Sequence, residues 1–444
     1  MSVASLDSLI HAQSLFIGEL YDYTVDLQST IYTMERCLLE MSAKIQQWRA
    51  DPEAYLANPL NSFALVRRLH EDWSYIEAYM QQPVGSEYAD NVYGLFEDYA
   101  PTATDLEDAM KAMIRIQDCY DLEAAQLANG LIDGKQYDAQ LNALDCFALA
   151  EFCKETPLLS NAVAWHKEAL DRYNYSQDND LYDSVYQLTV NDFYGKYANK
   201  LAEYNNNKEA LNVLNKAADL HNVLWLQRKL LEDSVHHLST GYKFEKDPLN
   251  SMQIGCRGQF PNVTQMYCYY QNSKEPFLIL APLKVELLNT EPYVALYHDV
   301  IYENEIKKLL SIDLASMRHD RTADHKNSVK YTTVTRELND VLNHRVMDMT
   351  AMNVASEKDF LLINYGIGGH IRALSEQQLS EVPQGGDTIL PELEIAIKSK
   401  KGAALVTHHL DKQLKIDLSS DHLSCPVLVG SMWTLVKWIY RHRK

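Results

Sequence analysis

At Pro248 the spacing of apolar residues along this chain changes, and the change dictates what can fold on either side of it. Before it, apolar residues recur at helical intervals. Leu20, Leu27, Ile31, Met34, Leu38, Met41, Ile45 and Trp48 follow alternating steps of four and three, with one polar slot at Thr24. That is a coiled-coil seam on a helix expected over about 6–50, and self-pairing competes with packing on its own domain. After Pro248 the pattern becomes short β-type runs: Phe277–Ala281, Val294–Tyr297, Phe360–Ile363, Ala403–Thr407 and Val427–Val429. Glycine and proline punctuate them, and one helix is expected at Glu303–Leu310.

The helical half subdivides. Pro52 and Pro59 break the first helix, because proline lacks the amide donor. Helices are expected from Ala64 to Trp73 and from Asp105 to Tyr120, and Gly130 and Gly134 read as a linker. From Leu141 to about Val235, Ala162 and Ala169 lie seven apart, as do Ala210 and Ala217. Small residues so spaced let helices approach closely, as in tetratricopeptide pairs. The expected fold class is α+β multidomain. It has a helical, coiled-coil dimerisation region over 1–135, a tetratricopeptide-like domain over 140–238, and a jelly roll (double-stranded β-helix) with flanking helices over 250–444.

Of 444 residues, 46% are hydrophobic and 23% charged, a globular balance. A net charge of −20 disfavours nucleic acid and anionic membranes as partners. No apolar run reaches bilayer length. Seven cysteines are too few for a disulfide scaffold and too irregularly spaced for a zinc cluster. Cys256 and Cys268 flank a short segment and can close a small loop in an oxidising compartment. Asn174-Tyr175-Ser176 and Asn262-Val263-Thr264 are glycosylation acceptor triplets in a secreted chain. Met1 to Ile10 does not read as a signal peptide, and Arg441-His442-Arg443-Lys444 is no retention signal. Tyrosines crowd the second helical stretch. Tyr194, Tyr197 and Tyr204 are the candidates for stacking on proline rings of an extended peptide, against the plainer alternative of core and surface tyrosine.

Motifs along the whole chain resemble the collagen prolyl 4-hydroxylase α subunit, a non-haem iron, 2-oxoglutarate-dependent dioxygenase. Asn58-Pro59-Leu60-Asn61-Ser62-Phe63, Arg68-Leu69-His70-Glu71-Asp72-Trp73 and Arg115-Ile116-Gln117-Asp118-Cys119-Tyr120 look like its dimerisation region. Asp145-Cys146-Phe147 opens a segment similar to its peptide-binding domain. Cys256-Arg257-Gly258, Asn364-Tyr365-Gly366-Ile367-Gly368-Gly369, Gln384-Gly385-Gly386-Asp387-Thr388 and His422-Leu423-Ser424-Cys425-Pro426 match its catalytic domain in order. The resemblance implies hydroxylation of proline in X-Pro-Gly repeats of procollagen, with Fe(II), 2-oxoglutarate, O2 and ascorbate. It also implies an α2β2 assembly with a second α-type chain and protein disulfide isomerase, in the endoplasmic reticulum lumen.

Carried over residue by residue, the family's iron ligands form His-x-Asp after the paired glycines, and a distal His follows. Two imidazoles and a carboxylate suit Fe(II) and leave open positions. Here the first motif reads Leu374-Ser375-Glu376, and the distal His is His422. Ten residues on, where the family pairs a lysine with 2-oxoglutarate, stands Met432. Lys437 is displaced by five positions, and Tyr365 is a cofactor-contact candidate. His370, His408, His409 and Asp411 supply further donor types. Neighbouring His408 and His409 on a strand would face opposite ways, leaving one inward at most. Only His370 to Gln384 separates the glycine motifs, about two dozen residues fewer than the family, more than a strand of typical length. Loss of a strand is expected to leave an incomplete jelly roll with an exposed edge. Where the family has tyrosines in its first peptide-binding helix pair, this chain has Lys154, Leu159 and Ser160. Three readings follow: an active α subunit, a catalytically inactive paralogue acting as a binding or regulatory subunit, or an incomplete gene model of an active enzyme.

Overall fold

The computed structural model describes residues 3–50, 52, 59–153, 158–174, 181–204, 206–221, 248–261, 266–273, 275–312, 317–319, 329–352, 354, 358–373, 376–379 and 382–439. The chain forms two compact units, Ala4–Thr102 and Ala103–Lys444.

The first unit is built on α1 (Val3–Ala50). α2 (Pro59–Arg67) opens on a proline, where a missing amide costs nothing. It runs through a π turn at Arg68–Asp72 into α3 (Trp73–Met80). Arg67 spans that turn with paired bonds of 2.7 and 2.9 Å to Asp72. α4 (Ser86–Tyr99) starts after Gly85, whose φ of +69° suits glycine, and a Cβ there would meet the Tyr23 ring at 2.2 Å. Asn91 on α4 donates to Glu19 on α1 at 3.0 Å. The seam residues Leu20, Ile31, Leu38 and Ile45 of α1 stay exposed.

The second unit opens with α5 (Ala103–Tyr120), α6 (Ala124–Ala128) and a hairpin of β1 (Leu131–Ile132) and β2 (Lys135–Gln136). The two glycines expected to mark a linker flank and turn this hairpin, both at positive φ. α7 (Ala143–Phe152), α8 (Leu159–Arg172), α9 (Val190–Glu203) and α10 (Asn207–His221) then pack in succession. Asn142 with Asp145 and Thr189 with Asp192 form capping boxes that start α7 and α9. Ala162, Ala169, Ala210 and Ala217 are all buried where the helices meet. Trp165 is fully buried and donates to Gln117 of α5 at 2.9 Å, so the helical layer and α5 share a core.

α11 (Ser251–Cys256) leads into the β region, which comprises β3 (Tyr267–Gln271), β4 (Leu283–Thr290), β5 (Tyr293–His298), α12 (Glu303–Leu310), β6 (Arg318–His319), β7 (Val329–Thr333), α13 (Arg336–Thr350), β8 (Leu361–Tyr365), β9 (Arg372–Ala373), β10 (Glu376–Gln378), β11 (Gln384–Gly385), β12 (Thr388–Leu390), β13 (Ile395–Ile397), β14 (Ala404–Thr407), β15 (His422–Ser424), β16 (Val427–Val429) and β17 (Met432–Val436). Among the described residues, nine strands form one antiparallel sheet in the order β3-β4-β5-β14-β10-β17-β8-β7-β6. A four-stranded sheet, β13-β12-β15-β9, and the pair β11-β16 make up the rest.

Strand alternation gives the large sheet two apolar faces. Val285, Tyr297, Leu362 and Leu435 pack with Ile306 and Leu309 of α12 and Leu342, Val346 and Met349 of α13. The opposite face carries Val329, Ile363, Tyr365, Met432 and Val436, packed with Ile371 and Val427.

Two expectations are corrected here. Phe277–Ala281 is not a strand: Pro276–Ile279 forms a 3-10 turn, because Pro276 withholds an amide and fixes φ for a turn. The shortened stretch after the paired glycines does not leave an open edge at this place either. It still supplies β10, inserted between β14 and β17, with Gln377 opposite both Ala404 and Leu435.

Candidate functional site

The site expected from sequence centres on β15 of the small sheet and β17 of the large one. His422 opens β15, paired across to Ala373 of β9. Its side chain is fully buried. Nδ1 lies 3.4 Å from the Ser420 carbonyl, and Nε2 has no hydrogen-bond partner among the described residues. Burial, more than the adjoining His409 ring, pushes the imidazole down to about 4, so it is neutral at physiological pH.

His409 stacks on His422 with centroids 5.8 Å apart and planes inclined by 21°. The Ser420 hydroxyl donates to the Asp417 carbonyl at 2.7 Å, so it accepts from His409 Nδ1, also at 2.7 Å. His409 Nε2 then accepts from the Thr407 hydroxyl at 3.0 Å. Both nitrogens of His409 are thereby engaged in protein hydrogen bonds. His408 is exposed and turned away, its ring 4.9 Å from that of Tyr293. Among the described residues, no group of three His, Cys, Asp or Glu side chains is placed to hold a metal ion. Leu374 lies outside the described residues. Glu376 is placed by its backbone on β10, opposite Val436.

Met432 pairs with Tyr365 across β17 and β8, and both side chains are buried. Its sulfur is 3.9 Å from Ser399 Oγ, and a Cβ on Gly386 would come within 3.0 Å of its terminal methyl. Its surroundings are the apolar face of Val329, Ile363, Ile371, Val427 and Val436. Lys437 follows β17 and packs on the other side of the sheet. Its ammonium donates to the Lys358 carbonyl and sits 5.1 Å from the Phe360 ring centroid. Asp387, after the glycine turn, accepts from the Ser399 amide at 3.2 Å, and burial holds its carboxyl above the usual range.

The expected Cys256–Cys268 loop is overturned. Cys256 is joined to Cys425, and Cys268 is exposed and free on β3. α11 carries Cys256 back onto the small-sheet layer, while Cys268 leaves along the large sheet. Sequence separation favoured the nearer thiol; the fold brings together residues 169 apart. Nothing in the linear pattern marks Cys425 beyond its place beside Pro426.

The three tyrosines expected to meet a peptide differ. Tyr197 is buried among Ala198, Leu201, Ala210, Val213 and Leu214, so its ring belongs to the α9–α10 core and not to a surface groove. Tyr194 and Tyr204 are half-buried on α9 and at its C-terminal end. Leu159 is buried and Ser160 exposed on α8, and Lys154 lies outside the described residues.

The family description "Prolyl 4-Hydroxylase alpha-subunit, N-terminal region" matches residues 2–134. "Prolyl 4-hydroxylase subunit alpha-2" of Gallus gallus is 25% identical over 99% of this chain and 92% of its own length. "Prolyl 4-hydroxylase subunit alpha-1" of Caenorhabditis elegans is 27% identical over 99% and 88%. Along nearly its whole length the chain is similar to these prolyl 4-hydroxylase α subunits. Among solved structures, a viral collagen prolyl hydroxylase from Paramecium Bursaria Chlorella virus-1 in its 2OG complex covers 33% of this chain and 94% of its own, at 15% identity and a TM-score of 0.27. No described helix of the chain is long and apolar enough to cross a membrane.

Proposed function

We propose that this chain is a non-catalytic α-type subunit that keeps the family's scaffold and contributes binding or assembly. In this reading, α1–α4 are the dimerisation region, α7–α10 a tetratricopeptide-like peptide-binding layer, and the two sheets a jelly roll. The observation that carries it is the pairing of His422 with Met432. His422 is one buried, neutral imidazole with its ring stacked on His409. Met432, at the position of the family's lysine, is sealed in an apolar face. A ferrous ion needs two further protein donors converging on His422 Nε2. The 2-oxoglutarate carboxylate needs a cation, and a thioether offers none. Among the described residues the donors fit neither group.

The exposed seam of α1 supports pairing with a second α-type chain. The Cys256–Cys425 bond supports an oxidising compartment such as the endoplasmic reticulum lumen, with protein disulfide isomerase as the β-type partner. The test is co-expression with disulfide isomerase and an active α subunit, followed by iron content and succinate release with a Pro-Pro-Gly repeat peptide. Co-purification without iron or turnover attributable to this chain is expected. Stoichiometric iron with succinate formed by this chain alone would refute it.

A further inference from the structure

α5 and the β1–β2 hairpin end on backbone turns that surround the candidate site. A Cβ on Gly368 would come within 2.5 Å of the Ala112 Cβ and 2.7 Å of its Cα, so the helix lies directly on this glycine. Gly368 has a φ of +66°, and its carbonyl accepts from Arg115 at 2.7 Å. The Tyr120 hydroxyl donates to the Pro426 carbonyl at 2.7 Å. A Cβ on Gly385 would meet that same carbonyl at 2.5 Å and Tyr120 Oη at 2.9 Å. Tyr137, just past the hairpin, donates to Gln384 at 2.7 Å, and Gln384 returns a bond of 3.3 Å to the Ile132 carbonyl. Arg257 caps the C-terminal carbonyls of α5, at 2.8 Å to both Asp118 and Cys119. Leu428 packs with Ile114, Ile116 and Trp165.

We infer that residues 103–137 are an intramolecular clasp that positions the turns at 366–369, 384–386 and 425–428, and through them His422 and Met432. The turn at 425–428 is tied to α11 by the Cys256–Cys425 bond, and the turns at 366–369 and 384–386 have no such covalent anchor. Two rest on glycines at positive φ, and the contacts they receive reach backbone carbonyls. They lean on one another: the Gly368 amide donates to the Val427 carbonyl at 2.8 Å, and the Cys425 amide to the Asp387 carbonyl at 2.7 Å. Gly386 in turn abuts Met432. The face made by these turns is therefore occupied by the chain's own helix, and a peptide approaching His422 must come from another side. The segment matched by the N-terminal family description thus ends in an element that belongs to the second unit. This inference holds whether or not the chain is catalytic.

The test is amide hydrogen exchange on the full chain. The double variant Arg115→Met/Tyr120→Phe should speed exchange at Gly368, Gly369 and Val427 by about tenfold or more, while α9 and α10 keep their protection. Arg115→Lys should keep most of the protection. If the double variant fails to fold, Tyr137→Phe is the milder probe, with faster exchange confined to Gln384–Gly386. Unchanged exchange at these turns, or an equal rise across the whole second unit, would overturn the clasp.

Discussion

Cys256 and Cys425 are covalently joined, and Cys425 lies three residues beyond His422 on the same stretch of chain. The bond ties the end of α11 to the junction of β15 and β16. Closing a loop of 169 residues restricts the unfolded chain strongly. Replacing either cysteine by alanine should lower stability by about 2–5 kcal/mol, measured by denaturant unfolding. Non-reducing peptide mapping should link Cys256 to Cys425, and iodoacetamide should label Cys268 without prior reduction. A Cys256–Cys268 peptide would contradict this pairing.

Met432→Lys puts an ammonium where the proposed function reads a lost cation, on a buried apolar face. The new ammonium would be buried on the face of Val329, Ile363, Ile371, Val427 and Val436, at a cost of several kcal/mol. The variant should melt well below the parent, and millimolar 2-oxoglutarate should not restore it. Recovery of Tm with 2-oxoglutarate, but not with succinate, would reveal a retained cofactor pocket.

Ligand linkage gives a mutation-free check on the parent chain. A ligand at a hundred times its Kd stabilises the folded state by about 2.7 kcal/mol. Fe(II) with 2-oxoglutarate under anaerobic conditions should leave the melting curve of this chain in place, and a chelator should likewise leave it unmoved. A clear upward shift would mean the donor set is better than His422 and its neighbours suggest.

Acid should destabilise the helical layer through His166. Its ring is buried on α8, with Glu151 of α7 at 3.5 Å and Lys196, Lys200 and Glu203 of α9 nearby. Desolvation outweighs Glu151 and pushes the imidazole from 6.5 down to about 4. The Glu151 contact is not a formed ion pair, since neither ring nitrogen makes a hydrogen bond among the described residues. With the folded value below the unfolded one, the unfolded chain takes up the proton first as pH falls. The contribution is complete above about 6.5 and declines toward about 4, and at full size it is about 3 kcal/mol. His166→Leu should flatten stability between those pH values relative to the parent.

Several helices were legible in the sequence because helix formation is local, while α4 (Ser86–Tyr99) and α13 (Arg336–Thr350) were not foreseen. The seam from Leu20 to Ile45 and the run Glu303–Leu310 carry their periodicity in consecutive turns. The same holds for β5, β8, β14 and β16, whose β-branched and aromatic runs lie within two residues of the expected bounds. Phe277–Ala281 misled because apolar content alone does not distinguish a strand from a turn opened by proline. At the candidate site, the residue types at 374, 376, 422 and 432 were readable by position, and they raised the question of metal and cofactor binding.

Tertiary structure decided which groups meet. It set Cys256 against Cys425 and left Cys268 outside. It turned Lys437 to the opposite side of the sheet from Met432, and it seated Ala112 on Gly368 across more than 250 residues of chain. Local patterning records the period of an element and hence its buried face. It carries no record of long-range neighbours, because those are chosen by simultaneous packing of elements whose separation along the chain leaves no trace in their own spacing.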